Sequence, residues 1–130
     1  MPVEALDHVN ICTNRVAETT AFYCDLLGMA ADASPVSADP GLARWIRDRG
    51  GRAIFHLIAP GLEGVRADAV AGRGGGAIDH VALACTDHAT VVAMLETRGV
   101  AYRDNVVEGM GLRQLFIEDP NGILVELNFY

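Results

Sequence analysis

Paired cysteines, a basic surface and a long apolar run are all missing from this chain. Its three cysteines, Cys12, Cys24 and Cys85, are odd in number and far apart. They supply neither a closed disulfide framework nor a zinc knuckle, and they read as reduced, half-buried small hydrophobes. Ten basic residues stand against seventeen acidic ones, for a net charge of -7. That balance argues against a broad nucleic-acid or anionic-membrane surface and leaves room only for a local basic pocket. No window approaches the roughly 20 apolar residues of a membrane span. The N-terminal stretch MPVEALDHVN has neither the basic patch nor the apolar run of a secretion signal. A soluble, cytoplasmic protein is expected. Aromatic residues make up only 6%, yet hydrophobic residues reach 51% of 130. That is enough for one small domain, or for two half-size modules sharing a core.

What is present is an internal echo. Leu6-Asp7-His8-Val9-Asn10-Ile11 matches Ile78-Asp79-His80-Val81-Ala82-Leu83 at an offset of 72. Helix-like segments follow, over about 18–27 and 88–98, each ending at a glycine (Gly28, Gly99). Asp48-Arg49-Gly50-Gly51 stands against Asp119-Pro120-Asn121-Gly122 at an offset of 71, and His56 against Glu126 at 70. Four events in one order at similar offsets indicate a duplication. The halves are residues 3–59 and 77–130, joined by a glycine-rich linker over 60–76 with at most a short helical turn. The linker lacks the lysine and spacing of a phosphate-binding loop.

Each half reads as strand, helix, then three strands. In the first half the strands are expected at 5–12, 30–34, 42–47 and 52–59, around the 48–51 turn. Phe22, Tyr23, Leu26 and Leu27 form the stripe of its helix, with Gly28 as the cap. In the second half the strands are expected at 78–84, 101–106, 113–118 and 123–129. Thr86 or Asp87 caps its helix, whose inner side carries Val91, Val92 and Leu95. The two glycines of 107–111 suggest a mobile lid.

Strand alternation then selects the chemistry. His8 shares a face with Leu6 and Asn10, and His56 with Arg52 and Ile54. Glu126 shares a face with Leu124 and Asn128, while Val125 and Leu127 pack on the other side. His8 and His80 hold equivalent places on the first strands, as do His56 and Glu126 on the last. If the halves are related by approximate twofold symmetry, all four can face one cavity. Three imidazoles and a carboxylate suit a first-row divalent metal and leave positions open on it. His88, near a helix start and without a counterpart, is expected to be solvated. Trp45 and Phe116, matched in the repeat, suit core packing. Among the arginines, Arg52 is expected to face the cavity, and Tyr102 is placed near its mouth. These two are the candidate substrate contacts.

The chain resembles the vicinal oxygen chelate superfamily, which includes glyoxalase I, methylmalonyl-CoA epimerase, fosfomycin-resistance proteins and extradiol dioxygenases. The resemblance covers nearly the whole chain. It rests on Leu6-Asp7-His8-Val9, on Thr20-Ala21-Phe22-Tyr23 leading to Leu27-Gly28-Met29, and on Ile78-Asp79-His80-Val81. The most telling stretch is Phe116-Ile117-Glu118-Asp119-Pro120-Asn121-Gly122 leading to Val125-Glu126-Leu127. It implies an α+β fold of two tandem βαβββ modules forming a curved mixed sheet cup around a metal. It also implies ligands from the first and last strands of each module, which match His8, His56, His80 and Glu126. Bacterial glyoxalase I usually has glutamate where His56 stands, and methylmalonyl-CoA epimerase glutamine, so that position selects no single activity. Bleomycin-binding relatives usually lack the ligands, which argues against that class.

The resemblance further implies a divalent ion (Zn, Ni, Co, Mn or Fe) that chelates neighbouring oxygens of a small-molecule substrate. The expected activity is that of an isomerase or lyase of the glyoxalase/epimerase type, with His56 and Glu126 as candidate acid–base groups. The alternatives are an extradiol-type dioxygenase using iron or manganese, with His56 or Tyr102 as its acid–base group, and a non-catalytic binding module. Members of the family commonly form homodimers, some of which share the site between subunits.

Overall fold

The structure, a computed structural model, describes residues 2–62 and 74–130. The expected linker, 60–76, lies mostly outside the described residues. The chain divides into two compact units, Met1–Gly72 and Arg73–Tyr130.

In the first unit β1 (Val9–Cys12) is followed by α1 (Val16–Ala21), which runs on as a π-helical segment over Phe22–Leu26. Strands β2 (Ala30–Asp32), β3 (Ala43–Arg47) and β4 (Ala53–Ile58) complete it. Gly28 ends the helix at φ +73°, a left-handed conformation that a side chain disfavours. The sheet order is β1-β4-β3-β2, with β1 parallel to β4 and the other pairs antiparallel. Alternation sends Ile11, Ile46, Phe55 and Leu57 to the helix side, where they are buried with Val16, Tyr23 and Leu26. The Tyr23 ring packs 4.6 Å from that of Phe55.

The second unit repeats the plan with β5 (His80–Cys85), α2 (His88–Thr97), β6 (Arg103–Val107), β7 (Leu112–Glu118) and β8 (Leu124–Phe129). Its sheet order, β5-β8-β7-β6, is that of the first unit. Asp87 is the N-cap, and its carboxylate accepts from the Thr90 amide. Leu95, Leu115, Ile117, Val125, Leu127 and Phe129 form the core. The duplicated βαβββ pattern expected from the sequence is therefore observed.

Three details differ from expectation. Strand β1 starts at Val9, so His8 stands just ahead of it. The anticipated lid is a tight hairpin turn, because Val107 and Leu112 on either side of it are paired directly. His88 is tucked in: its side chain is 17% exposed, and its ring meets Phe129 edge-on at 5.1 Å. A position at the first turn of a helix laid over a sheet faces the sheet as readily as water. The three cysteines are free and half-buried, as their spacing implied. Burial raises each thiol's pKa. Among the described residues no helix is long and apolar enough to cross a membrane.

Candidate functional site

Each unit gathers one pair of the sequence-selected residues on the sheet face opposite its helix. In the first unit the parallel register sets Asn10 beside His56, and His8 lies two residues earlier on the same face. The His8 and His56 rings stack at 3.7 Å and 15°. Trp45, the antiparallel partner of His56, covers the other side of that ring at 4.6 Å and 11°. The Arg47 guanidinium lies over Trp45 at 5.6 Å, steadied by Asp32. His8 donates from Nδ1 to Asp7 across 2.6 Å. That bond holds the Asp7 carboxyl below its usual range. Burial first, and then the neighbouring His8, lowers the pKa of His56, which keeps its imidazole neutral near pH 7. Stacking uses ring faces, so the nitrogen lone pairs, which lie in the ring planes, are not consumed by it.

In the second unit His80 Nε2 lies 3.0 Å from Glu126 Oε2. Nδ1 of His80 donates to Asp79 Oδ1 across 2.8 Å. A neutral His80 with that tautomer would aim its remaining lone pair at a carboxylate oxygen. Two acceptors at that distance require a proton or a cation between them. In keeping with this, Asp79 first, and then the charge of Glu126, raises the pKa of His80. Glu126 is buried, with its side chain only 11% exposed. Its other oxygen, Oε1, accepts from Gln114 Nε2 at 2.8 Å. Asp7 and Asp79 are thus equivalent in role as well as in position: each fixes the tautomer of the histidine that follows it.

The remaining candidates lie elsewhere. Arg52 sits outside β4 and gives its guanidinium to Asp48 of the turn, with its side chain 74% exposed. A register shift between Ile46 and Arg47 breaks the alternation that linked Arg52 to His56. Tyr102 precedes β6, and its hydroxyl donates to Glu96 of α2. Among the described residues no group of three or more His, Cys, Asp or Glu forms a ready-made metal cluster. The ligand candidates come as two pairs.

Sequence reading missed Trp45, Phe116 and Gln114. Trp45 and Phe116 are not core residues. They are half-buried on the same faces as His56 and Glu126, because each is the direct cross-strand partner of that residue. Counting outward from the Asp119–Gly122 turn would have found Phe116 and Gln114, since the register runs unbroken through Phe116↔Glu126 and Gln114↔Asn128.

A family model described as the Glyoxalase/Bleomycin resistance protein/Dioxygenase superfamily matches residues 5–127. No curated protein matches the sequence. Among solved structures, a lactoylglutathione lyase from Agrobacterium tumefaciens is similar at 22% identity and a TM-score of 0.70, covering 99% of this chain and 96% of that one. A glyoxalase/dioxygenase from Nostoc punctiforme is similar at 16% identity and a TM-score of 0.73, with 98% and 92% covered. A fosfomycin resistance protein from Listeria monocytogenes is similar at 13% identity and a TM-score of 0.69, with 98% and 94% covered. At these identities the likeness to solved structures shows the fold alone.

Proposed function

The chain belongs to the Glyoxalase/Bleomycin resistance protein/Dioxygenase superfamily, and from that premise we propose that it is a metal-dependent isomerase or lyase acting on a small substrate with neighbouring oxygens. His8, His80 and Glu126 would hold one divalent ion, with His56 as its fourth ligand or as the mobile base. The observation that carries this reading is the His80–Glu126 pair: a nitrogen and an oxygen 3.0 Å apart, each steadied from behind, by Asp79 and Gln114. Such a donor set, nitrogen and oxygen with outer partners in place, fits zinc, nickel, cobalt, manganese or iron. When bound, the ion would chelate two substrate oxygens and stabilise the negative charge of an enediolate.

The chain's own groups supply the rest. Where His56 is the base rather than a ligand, burial and the neighbouring His8 keep its imidazole neutral, so that its free nitrogen can accept a proton from the substrate carbon. Glu126 is the other candidate base when Oε2 leaves the ion during turnover, while Oε1 stays held by Gln114. Trp45 and Phe116 give the two faces apolar flanks that would exclude water from the reacting carbon. A homodimer is part of the proposal, in keeping with the habit of the family.

One observation favours a second reading. His56 is sandwiched between His8 and Trp45. That setting also suits an acid–base group beside a His8–His80–Glu126 ligand set, as in an extradiol-type dioxygenase. Incubation of metal-loaded protein in deuterated water with α-hydroxycarbonyl and hemithioacetal substrates distinguishes the two. The first reading predicts deuterium entering at the carbon next to the carbonyl, without oxygen uptake. Oxygen consumption with catechols and no such exchange would overturn it in favour of the second. Retention of ligand without either reaction would leave a binding module.

A further inference from the structure

Glu126 ends a chain of side-chain amides that crosses three strands. Asn105 on β6 donates from Nδ2 to the carbonyl oxygen of Gln114 on β7 across 2.8 Å. Gln114 donates from Nε2 to Glu126 Oε1 on β8 at 2.8 Å, and to Asn128 Oδ1 at 3.1 Å. The register places these residues on one face: Asn105 opposite Gln114, and Gln114 opposite Asn128. An amide group has two N–H donors and one carbonyl acceptor. Both kinds of group on Gln114 are engaged, so turning its amide over would set its oxygen against the Glu126 carboxylate and its NH₂ against the Asn105 NH₂.

From this we propose that Gln114 is a positioning residue for Glu126. It commits Oε1 to a hydrogen bond and leaves Oε2, the oxygen beside His80, as the one that meets a divalent ion. Asn105 locks the orientation of the Gln114 amide. The inference rests on the proposed metal-binding function for its second half only. The hold of Gln114 on Glu126 belongs to the protein without metal.

Among the described residues, the first unit shows no such amide at the equivalent place, although the repeat is otherwise close. The position equivalent to Gln114 is Ala43, which is buried and carries no polar side-chain atom. His56 is held by ring stacking instead. The two units therefore fix their ligands by different means, each suited to the ligand: flat contacts for an imidazole, a fixed donor for a carboxylate.

The test uses the full chain in two arms. In metal-free protein, the Gln114 side-chain amide protons, followed by nuclear magnetic resonance, should exchange slowly with solvent, and should exchange faster in Asn105→Ala and in Glu126→Ala. Zinc and nickel titrations should then show Gln114→Leu weakened by about 10- to 100-fold, the usual cost of losing an outer partner of a ligand. Asn105→Ala should show a smaller loss, and Gln114→Glu a loss that diminishes at acid pH, where a shared proton restores the bond. Thermal melting identifies variants that fail to fold. For such a variant the amide signals of the native chain decide. Fast amide exchange in native protein, or a folded Gln114→Leu that binds zinc and nickel as tightly as native protein, would overturn the inference. Native protein that binds neither of these ions, nor cobalt, manganese or iron(II), overturns the second half together with the proposed function, while the exchange arm still decides the first half.

Discussion

Replacing Glu126 with glutamine is expected to slow substrate proton exchange by about 100- to 10,000-fold, the usual contribution of a positioned acid–base group. The substitution keeps the size of the side chain and keeps an acceptor for Gln114, whose Nε2 lies 2.8 Å from Oε1. It removes the negative charge and the ability to take up a proton. The fold should tolerate it, because no core contact is lost. His80 should respond as well. Glu126 is one of the groups that raise its pKa, after Asp79, so in the variant His80 should titrate at a lower pH than in the native chain. Kinetics, melting temperature and a histidine titration of one variant therefore separate a chemical role from a structural one. An exchange rate within a few-fold of native protein would remove Glu126 from the list of bases and leave His56.

The second large effect concerns stability. Tyr23→Ala is expected to cost about 3–5 kcal/mol, the range for deleting a buried aromatic side chain. Tyr23 is fully buried, against Phe55 at 4.6 Å and Phe22 at 5.0 Å. Phe55 precedes His56 on β4, so the same packing that stabilises the unit sets the strand that presents His56. Leu6→Ala is the control. Leu6 is 78% exposed, and substitutions at such positions usually change stability by less than about 0.5 kcal/mol. Denaturant unfolding followed by circular dichroism measures both. A Tyr23→Ala variant as stable as the control would contradict the description of this core.

Much of this was legible in the sequence because period and repeat act on the same residues. Alternation set Val125 and Leu127 on the packed side, opposite Glu126, and both are buried. The repeat paired His8 with His80 and His56 with Glu126, and each unit brings its own two together. What failed did so where alternation has no authority. Arg52 lies beyond a register shift, so its side cannot be counted back from His56. Tyr102 lies ahead of β6, and its hydroxyl is taken by Glu96 on the neighbouring helix, a contact with no signature in strand spacing. Trp45 and Phe116 read as core because bulk and apolarity do not say which face of a sheet a residue occupies. That follows from register, and register follows from the turn. Gln114 was invisible for another reason. A lone glutamine in a strand carries no motif, and its importance depends on Asn105 and Asn128 standing beside it on other strands.

The proposal stands on one divalent ion held by His8, His80 and Glu126, with His56 as fourth ligand or base. Its most direct test is the metal content of gently purified protein, native and after reconstitution with zinc, nickel, cobalt, manganese and iron(II), alongside His8→Ala and Glu126→Ala. We expect one ion per native chain, lost from both variants. No bound ion under any of these conditions, or an ion retained when either side chain is removed, would contradict it.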